Sequence, residues 1–231
     1  MLYVVPTPLG NLKDITLRAL ETLRKVETIL AEDTRHTLNL LRHHEIQGSM
    51  VSFHAHNEAR CTAECVERLR AGAEIALVSD AGMPGISDPG TRLIRAVIAA
   101  ELPYTVLPGP SATVTAAVAS GFDLTRWNFH GFLPVKSGQR ERMLRTALET
   151  PGTQIFFESP HRLIKTLTLL AEIAPERPLC VSREISKTFE EHRQGLPASL
   201  VEHYTAKPPK GEITLVMAAL SSKAKRDPDD P

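Results

Sequence analysis

The chain has 231 residues, of which 42% are hydrophobic and 23% are charged, as is usual for globular proteins rather than fibrous or disordered ones. Its 27 basic residues balance 27 acidic residues, so no overall positive field attracts nucleic acid. The first residues lack a basic segment, and no stretch approaches about 18 apolar residues. We therefore expect no signal peptide, no membrane helix and a cytoplasmic protein. Three cysteines do not indicate a disulfide framework.

The first half of the chain alternates apolar strands with helices. The run Leu2 to Val5 predicts a buried strand, and a helix opened by Asp14 follows it. Further strands are predicted at ETILAED, MVSFH, EIALVS and YTVLP, and further helices at Arg35 to His44, after Asn57 as cap through Leu69, and from Ser111 through Ala119. Strands that alternate with helices in this way indicate βαβ units and a mostly parallel sheet.

The pattern changes at the turn-rich stretch SGFDLTRW around Gly121. Four more strands are predicted beyond it, at NFHGFLP, TQIFFESP, RPLCVSRE and GEITLVMAAL. The sequence therefore predicts two α/β domains, at residues 1–121 and 122–220. Residues 221–231 contain no large apolar side chain, which predicts a disordered tail.

Unusual loops follow four strands of the first half, and they read PTPLGN, EDTRHT, SDAGMPGISDPG and PGPSA. In an open parallel sheet, ligands bind outside the carboxyl ends of the strands. Glycine lets the backbone approach a ligand, and proline keeps the loop rigid. Any one of these loops alone is more typical of a plain turn, but four at one edge indicate a ligand site. The chain has neither GxGxxG after the first strand nor GxxxxGK[ST], which argues against dinucleotide enzymes and P-loop NTPases.

Nine blocks follow one another along residues 1–220: VVPTPLGNLKDITLRAL, AEDTRHT, HNE, ALVSDAGMPGISDPG, LPGPSA, GFLPVK, FFESPHRL, REISKTFEE and KGEITLV. In this order the chain resembles the bacterial small-subunit ribosomal RNA cytidine 2′-O-ribose methyltransferases, a branch of the tetrapyrrole methylase superfamily. The resemblance implies an α/β fold of two domains, with a mostly parallel sheet in the first and a mixed sheet in the second. It also implies S-adenosylmethionine in the cleft between them, 16S rRNA or the small ribosomal subunit as substrate, and a homodimer.

The resemblance further implies which residues bind the cofactor. They are Leu9, Gly10, Asp80, Gly82, Met83, Ile86, Ser111 and Ala112 in the first domain, and Phe157, Gly211 and Glu212 in the second. A neutral adenosine suits backbone hydrogen bonds and apolar walls, and a carboxylate such as Asp80 suits the cationic methionine end. Family members commonly have threonine where this chain has Met83, and they usually continue with a helical segment after the last strand.

Methyl transfer to a ribose hydroxyl needs alignment of the reactants and a base that takes the proton. Three carboxylates are candidates for this base: Asp33, Glu158 and Glu184. His161 is equally a base or a residue at a helix N-terminus. Five cations are candidates for RNA contacts: Arg35, Lys136, Arg162, Arg183 and Lys187. Each of them either clamps RNA phosphates or neutralises a neighbouring carboxylate.

Two histidines and two cysteines lie close together in the sequence, at His54, His56, Cys61 and Cys65. Zinc uses such ligands, but the CxxC spacing is missing, so we expect core thiols beside a helix cap and no metal. Three functions stay open: the ribosomal RNA methyltransferase, a tetrapyrrole-type small-molecule methyltransferase, and a non-catalytic RNA-binding protein of the same fold.

Overall fold

The computed structural model describes residues 1–220. They form two compact units, Met1–Ala112 and the part that begins at Thr113. The disordered tail expected at 221–231 lies outside the described residues. Within residues 1–220, no helix combines the length and the apolar content that crossing a membrane requires.

The first unit is built on a five-stranded parallel sheet. Its strands are β1 (Leu2–Val4), β2 (Thr28–Ala31), β3 (Ser49–Ser52), β4 (Ile75–Val78) and β5 (Tyr104–Val106). Its helices are α1 (Leu17–Lys25), α2 (Thr34–His43), α3 (Glu58–Arg70) and α4 (Thr91–Ala99). The strand order is β3-β2-β4-β1-β5, and every neighbouring pair is parallel. All five strands therefore end at the same edge.

Apolar side chains cover both faces of this sheet. In β4, Ala76 and Val78 belong to the apolar cluster on one face, and Ile75 and Leu77 belong to the cluster on the other. Side chains alternate between the two faces of a strand, so a run of four apolar residues fills both layers. Such continuous apolar runs are typical of parallel strands with helices on both sides.

The predicted start of α1 is wrong, and the predicted start of α3 is right. Helix α1 begins after Thr16, whose hydroxyl accepts a hydrogen bond from the Ala19 N–H at 3.1 Å. Asp14 instead lies in a short 3₁₀ turn before it. Helix α3 does begin after Asn57, but the Asn57 side chain makes no cap hydrogen bond. It bonds the His54 N–H and the Ser52 carbonyl oxygen, both at 2.8 Å, and so secures the connection from β3.

The second unit carries a mixed sheet. Helix α5 (Ala112–Ala119) leads into it, so the units divide at the start of α5, whereas the break expected at residue 121 follows this helix. The strands are β6 (Trp127–Phe132), β7 (Thr153–Glu158), β8 (Leu179–Arg183), β9 (Glu191–Gly195) and β10 (Ile213–Met217). The helices are α6 (Ser137–Glu149), α7 (Leu163–Ile173) and α8 (Pro197–Ala206).

The strand order of the second sheet is β6-β7-β10-β8-β9. The pair β6–β7 is parallel and the other neighbours are antiparallel. Phe156 and Leu215 of the central strands are fully buried in one core with residues of the three helices. The predicted fold class, a parallel sheet followed by a mixed sheet, is confirmed.

Candidate cofactor-binding site

The loops after β1 and β4 are joined through their backbones. The Thr7 N–H donates to the Gly82 carbonyl oxygen and the Gly82 N–H donates to the Thr7 carbonyl oxygen, each at 2.9 Å. The Thr7 hydroxyl also donates to the Ser79 carbonyl oxygen at 2.9 Å. Thr7 and Ser79 were not among the predicted site residues. Their signal in the sequence is weak, because a threonine between two prolines reads as an ordinary turn.

Gly82 lies where the loops after β1, β4 and β5 meet. Its φ of +78° belongs to a region that favours glycine. A Cβ at this position would lie 3.1 Å from Leu9 Cδ2 and 3.7 Å from the Pro110 carbonyl oxygen. The loops after β1 and β5 touch as well, since a Cβ on Gly109 would come within 2.5 Å of Pro6 Cγ. A side chain at Gly109 would therefore overlap Pro6, and one at Gly82 would press on Leu9.

The loop after β2 joins the same group. The Asp33 N–H donates to Asp80 Oδ1 at 3.0 Å, so the loops after β2 and β4 are also linked. The four loops that were predicted to share one rim are therefore in contact within the first unit. They bring Leu9, Asp80 and Gly82 together, with Ser111 next to Pro110 in the chain.

The remaining cofactor candidates of this unit lie on the flanks of the loops. Met83 and Ile86 form one turn, in which the Ile86 N–H donates to the Met83 carbonyl oxygen at 3.3 Å. Ile86 is 43% exposed, and Gly10 is exposed too. Ala112 begins α5. The loops thus expose both an apolar side chain, at Ile86, and backbone, at Gly10.

Asp33 is engaged by its own helix. Its carboxylate accepts hydrogen bonds from the Arg35 N–H at 2.9 Å, from Arg35 Nε at 3.1 Å and from Arg35 Nη2 at 2.8 Å. These hydrogen bonds, first of all those from the side chain, hold the pKa of Asp33 far below its ordinary value. Asp33 therefore caps α2 and pairs with Arg35, whose side chain is 89% exposed.

The predicted residues of the second unit share one edge of its sheet. The register aligns Glu158 of β7, Ile213 of β10 and Arg183 of β8. Because β10 runs opposite to β7 and β8, the start of β10 lies beside their ends. The Gly211–Glu212 corner therefore lies at the edge where Glu158 and Glu184 also lie. Phe157 packs its ring against Phe129 and Phe132 of β6, with centroid distances of 4.9 and 5.3 Å.

Glu158 is buried and bonded on both oxygens. Its Oε1 accepts from the Ser159 N–H at 2.7 Å and lies 2.8 Å from Arg162 Nη2, and its Oε2 accepts from the Thr166 hydroxyl at 2.6 Å. The side chain has no solvent-exposed surface. This arrangement ties the end of β7 to the first turns of α7, which is a structural role.

Glu184 holds the Gly211–Glu212 corner in place. Its Oε1 accepts from the Glu212 N–H at 3.0 Å, and its own N–H donates to the Glu212 carbonyl oxygen at 3.0 Å. Gly211 has a φ of +82°, and a Cβ there would overlap the Glu184 carboxylate. Partial burial works against ionisation of Glu184. The Glu212 N–H and Lys187 outweigh it, and the pKa of Glu184 lies below its ordinary value.

The five predicted RNA cations fall into two groups. Arg162, Arg183 and Lys187 have partners inside the second unit: Glu158 and the Leu133 carbonyl for the first, Glu191 and two carbonyls for the second, and Glu184 with Glu212 for the third. This is the neutralising arrangement that was the alternative to RNA clamping. Lys136 is exposed at the start of α6. Arg35 is exposed too, but it pairs with Asp33.

His161 and the two cysteines of the histidine–cysteine group take ordinary positions. His161 is exposed, and its N–H donates to the Ser159 hydroxyl at 3.3 Å, just before α7. Cys61 and Cys65 lie on the buried side of α3, in the core of the first unit. Burial and the neighbouring Cys61 raise the pKa of Cys65 to about 11. In the part of the chain that the structure describes, no three histidine, cysteine or acidic side chains form a group that could hold a metal ion.

Comparison with known proteins gives curated relatives along nearly the whole chain. The ribosomal RNA small subunit methyltransferase I of Synechocystis sp. is 44% identical over 219 residues, which are 94% of this chain and 78% of the relative. The protein of the same name from Streptococcus pyogenes serotype M1 is 43% identical over 94% of this chain and 76% of its own. That from Mesorhizobium japonicum is 43% identical over 99% of this chain and 78% of its own.

Solved structures with similar folds share less sequence. The crystal structure of the methyltransferase CobJ aligns with a TM-score of 0.70 at 17% identity and covers 95% of this chain and 94% of its own. Uroporphyrin-III-C-methyltransferase from Thermus thermophilus aligns with a TM-score of 0.64 at 23% identity, over 94% of this chain and 93% of its own. The family model for tetrapyrrole (corrin/porphyrin) methylases matches residues 1–200. The chain therefore belongs to the tetrapyrrole methylase family.

Proposed function

We propose that this protein transfers a methyl group from S-adenosylmethionine to the 2′-hydroxyl of a cytidine ribose in 16S ribosomal RNA. The observation that carries the proposal is the 43–44% identity to proteins named ribosomal RNA small subunit methyltransferase I, which extends over 94–99% of the chain. The substrate class thus rests on the relatives, while the arrangement of the loops supports the use of a nucleoside cofactor.

The loops of the first unit fit S-adenosylmethionine chemically. They present exposed backbone at Gly10, apolar surface at Ile86, and the carboxylate of Asp80. Uncharged adenosine suits the first two kinds of group, and the positively charged methionine end suits the third. When bound, the cofactor supplies a methyl group that its sulfonium already activates, so no metal is required for the transfer.

The protein then has to orient the reactants and accept the hydroxyl proton. Alignment contributes up to about 7–11 kcal/mol in favourable systems, and the short, mutually bonded loops provide the rigidity that alignment needs. Within the second unit, Glu158 secures the start of α7 and Glu184 secures the Gly211–Glu212 corner. For phosphate contacts, the exposed Lys136 is the strongest candidate, because the other four cations already have protein partners.

We also propose that the protein acts in the cytoplasm as a homodimer. The dimer follows from the family resemblance, and exposed apolar side chains support it. Tyr104 and Val106 on the edge strand β5 are 43% and 47% exposed, and an edge strand with such side chains is usually covered. Light scattering on the purified protein gives the molar mass and decides between monomer and dimer.

The test of the function is methyl transfer by the purified chain. Small ribosomal subunits from a strain that lacks the modification are incubated with methyl-labelled S-adenosylmethionine, and nuclease digestion with mass spectrometry locates the label. We expect one ribose-methylated cytidine per subunit. An Asp80→Ala variant is expected to transfer none, whereas Arg70→Ala, on the exposed face of α3, is expected to behave like the wild type.

Other outcomes would support the other two functions. Label in a tetrapyrrole such as uroporphyrinogen III, with none in RNA, would establish the small-molecule methyltransferase. Binding of RNA without transfer to either acceptor would establish the non-catalytic protein.

A further inference from the structure

Glu32 lies at the end of β2 in a position that its neighbours define on both sides. From β3, the Phe53 N–H donates to the Ala31 carbonyl oxygen at 2.8 Å. From the loop after β4, Asp80 Oδ1 accepts the Asp33 N–H at 3.0 Å. The two peptide groups that flank Glu32 are therefore both fixed, and its side chain starts from a rigid point at the rim of the cofactor loops.

Glu32 and Asp33 are adjacent carboxylates with different environments. Asp33 is held by Arg35 through three hydrogen bonds and caps α2. The Glu32 carboxylate makes no hydrogen bond with residues 1–220, and its side chain is partly buried. A carboxylate that lacks donors keeps its lone pairs available for a proton, whereas a carboxylate in a bidentate ion pair does not.

The charges around Glu32 favour a bound proton. Burial raises its pKa above the ordinary value, the negative charge of Asp80 raises it further, and His54 opposes both to a smaller extent. His54 follows β3 and Asp80 follows β4, so these groups face Glu32 from the two neighbouring strands. On its own segment the charged neighbours are Asp33 and Arg35, which neutralise each other. A general base works best when its pKa is closer to the working pH than that of a free carboxylate.

We propose that Glu32 is the catalytic base that accepts the ribose hydroxyl proton. This inference rests on the proposed function. As the hydroxyl oxygen forms its bond to the methyl carbon, the proton moves to the Glu32 carboxylate. The carbon–sulfur bond breaks, its electron pair stays on sulfur, and neutral S-adenosylhomocysteine leaves. Glu32 was not among the carboxylates singled out from the sequence, which were Asp33, Glu158 and Glu184.

The test compares Glu32→Gln with Asp33→Asn under single-turnover conditions. Both variants keep the size of the side chain and remove one charge at adjacent positions. We expect Glu32→Gln to lower the methylation rate by about 10²–10⁴-fold, the usual contribution of a positioned base, while calorimetry shows unchanged binding of S-adenosylmethionine. We expect Asp33→Asn to lower the rate by less than about tenfold, in line with the loss of an exposed ion pair.

Two further readouts separate a base from a structural residue. The wild-type rate should rise with pH along a limb of unit slope, and Glu32→Gln should lack that limb. Because ionised Glu32 is disfavoured in the fold, Glu32→Gln should melt at the same temperature as the wild type or above it near pH 7. Partial recovery of the rate in Glu32→Asp would support the assignment further.

The outcomes that overturn the proposal are distinct. A Glu32→Gln variant within tenfold of the wild-type rate, or one that keeps the pH limb, removes Glu32 as the base. A variant that melts well below the wild type gives Glu32 a structural role instead. If the wild-type protein itself transfers no methyl group to small subunits, the proposed function fails and the base assignment fails with it.

Discussion

The Asp33 N–H donates to the Asp80 carboxylate at 3.0 Å, and this hydrogen bond ties the loop after β2 to the loop after β4. Together with the paired backbones of Thr7 and Gly82, it makes one continuous surface from loops that are up to about 75 residues apart in the chain. The parallel sheet makes this possible, because all its strands end at the same edge.

Gly82→Ala should weaken both the fold and cofactor binding. Alanine at φ +78° is strained, and its Cβ would press on Leu9 Cδ2 at 3.1 Å, so we expect a stability loss of about 1–3 kcal/mol. Urea denaturation measures it. The matched control is Gly138→Ala in α6, where a Cβ meets nothing within 4 Å, and which should be neutral or slightly stabilising. Equal stability of the two variants would contradict the close approach of the loops at Gly82.

Glu158→Ala should destabilise the second unit strongly. It removes a fully buried partner of Arg162 and leaves the Thr166 hydroxyl without its acceptor, and breaking a buried pair costs about 3–5 kcal/mol. Thermal and urea denaturation would show the loss. Glu141→Ala removes an exposed partner of Arg145 and should cost only about 0.3–0.5 kcal/mol. A Glu158→Ala protein as stable as the Glu141→Ala protein would contradict the structural role of Glu158.

Glu184→Gln should change how stability depends on pH. The folded pKa of Glu184 is depressed below its ordinary value of 4.5. Its ionised form therefore stabilises the fold above about pH 4.5, and this contribution is lost as the pH falls through the depressed pKa. We expect a lower melting temperature than the wild type at pH 7 and convergence of the two curves in acid. If the melting temperatures of the variant and the wild type differ by the same amount from pH 7 to pH 3, the ionised Glu184 does not stabilise the fold through its hydrogen bond to Glu212.

Asp80→Asn should reduce the affinity for S-adenosylmethionine more than that for S-adenosylhomocysteine. The asparagine oxygen can still accept the Asp33 N–H, but the charge that attracts the sulfonium is gone, and the product has a neutral sulfur. We expect the ratio of the two dissociation constants to shift by about tenfold, or about 1.4 kcal/mol. Calorimetric titrations with both ligands give this ratio, and an equal loss for both would place the sulfur away from Asp80.

The strands that carry apolar side chains were predictable, and the polar strand β9 was not. The core strand β4 reads IALV and is fully buried. In contrast, β9 reads EHRQG, lies at the edge of the sheet and is largely exposed, so burial leaves no pattern in its sequence. Its pairing comes from the antiparallel register with β8, which is a tertiary feature.

The positions of glycine and proline predicted the rim of loops. They did not predict the hydrogen-bond partners and burial of each carboxylate. The letters AEDTR show two adjacent acids and do not show which one Arg35 binds. That choice depends on the start of α2, where Asp33 takes the cap position. Likewise, the residue type of Glu158 carries no signal of its complete burial among Ser159, Arg162 and Thr166.

The convergence of the first unit's loops on the methyl donor is tested most directly by hydrogen exchange with mass spectrometry, with and without S-adenosylmethionine. We expect ligand addition to protect peptides that cover residues 6–11, 79–90 and 107–112. We expect no added protection in peptides from α3. Unchanged exchange in these three loops, at ligand concentrations that support methyl transfer, would contradict the assignment of the cofactor site.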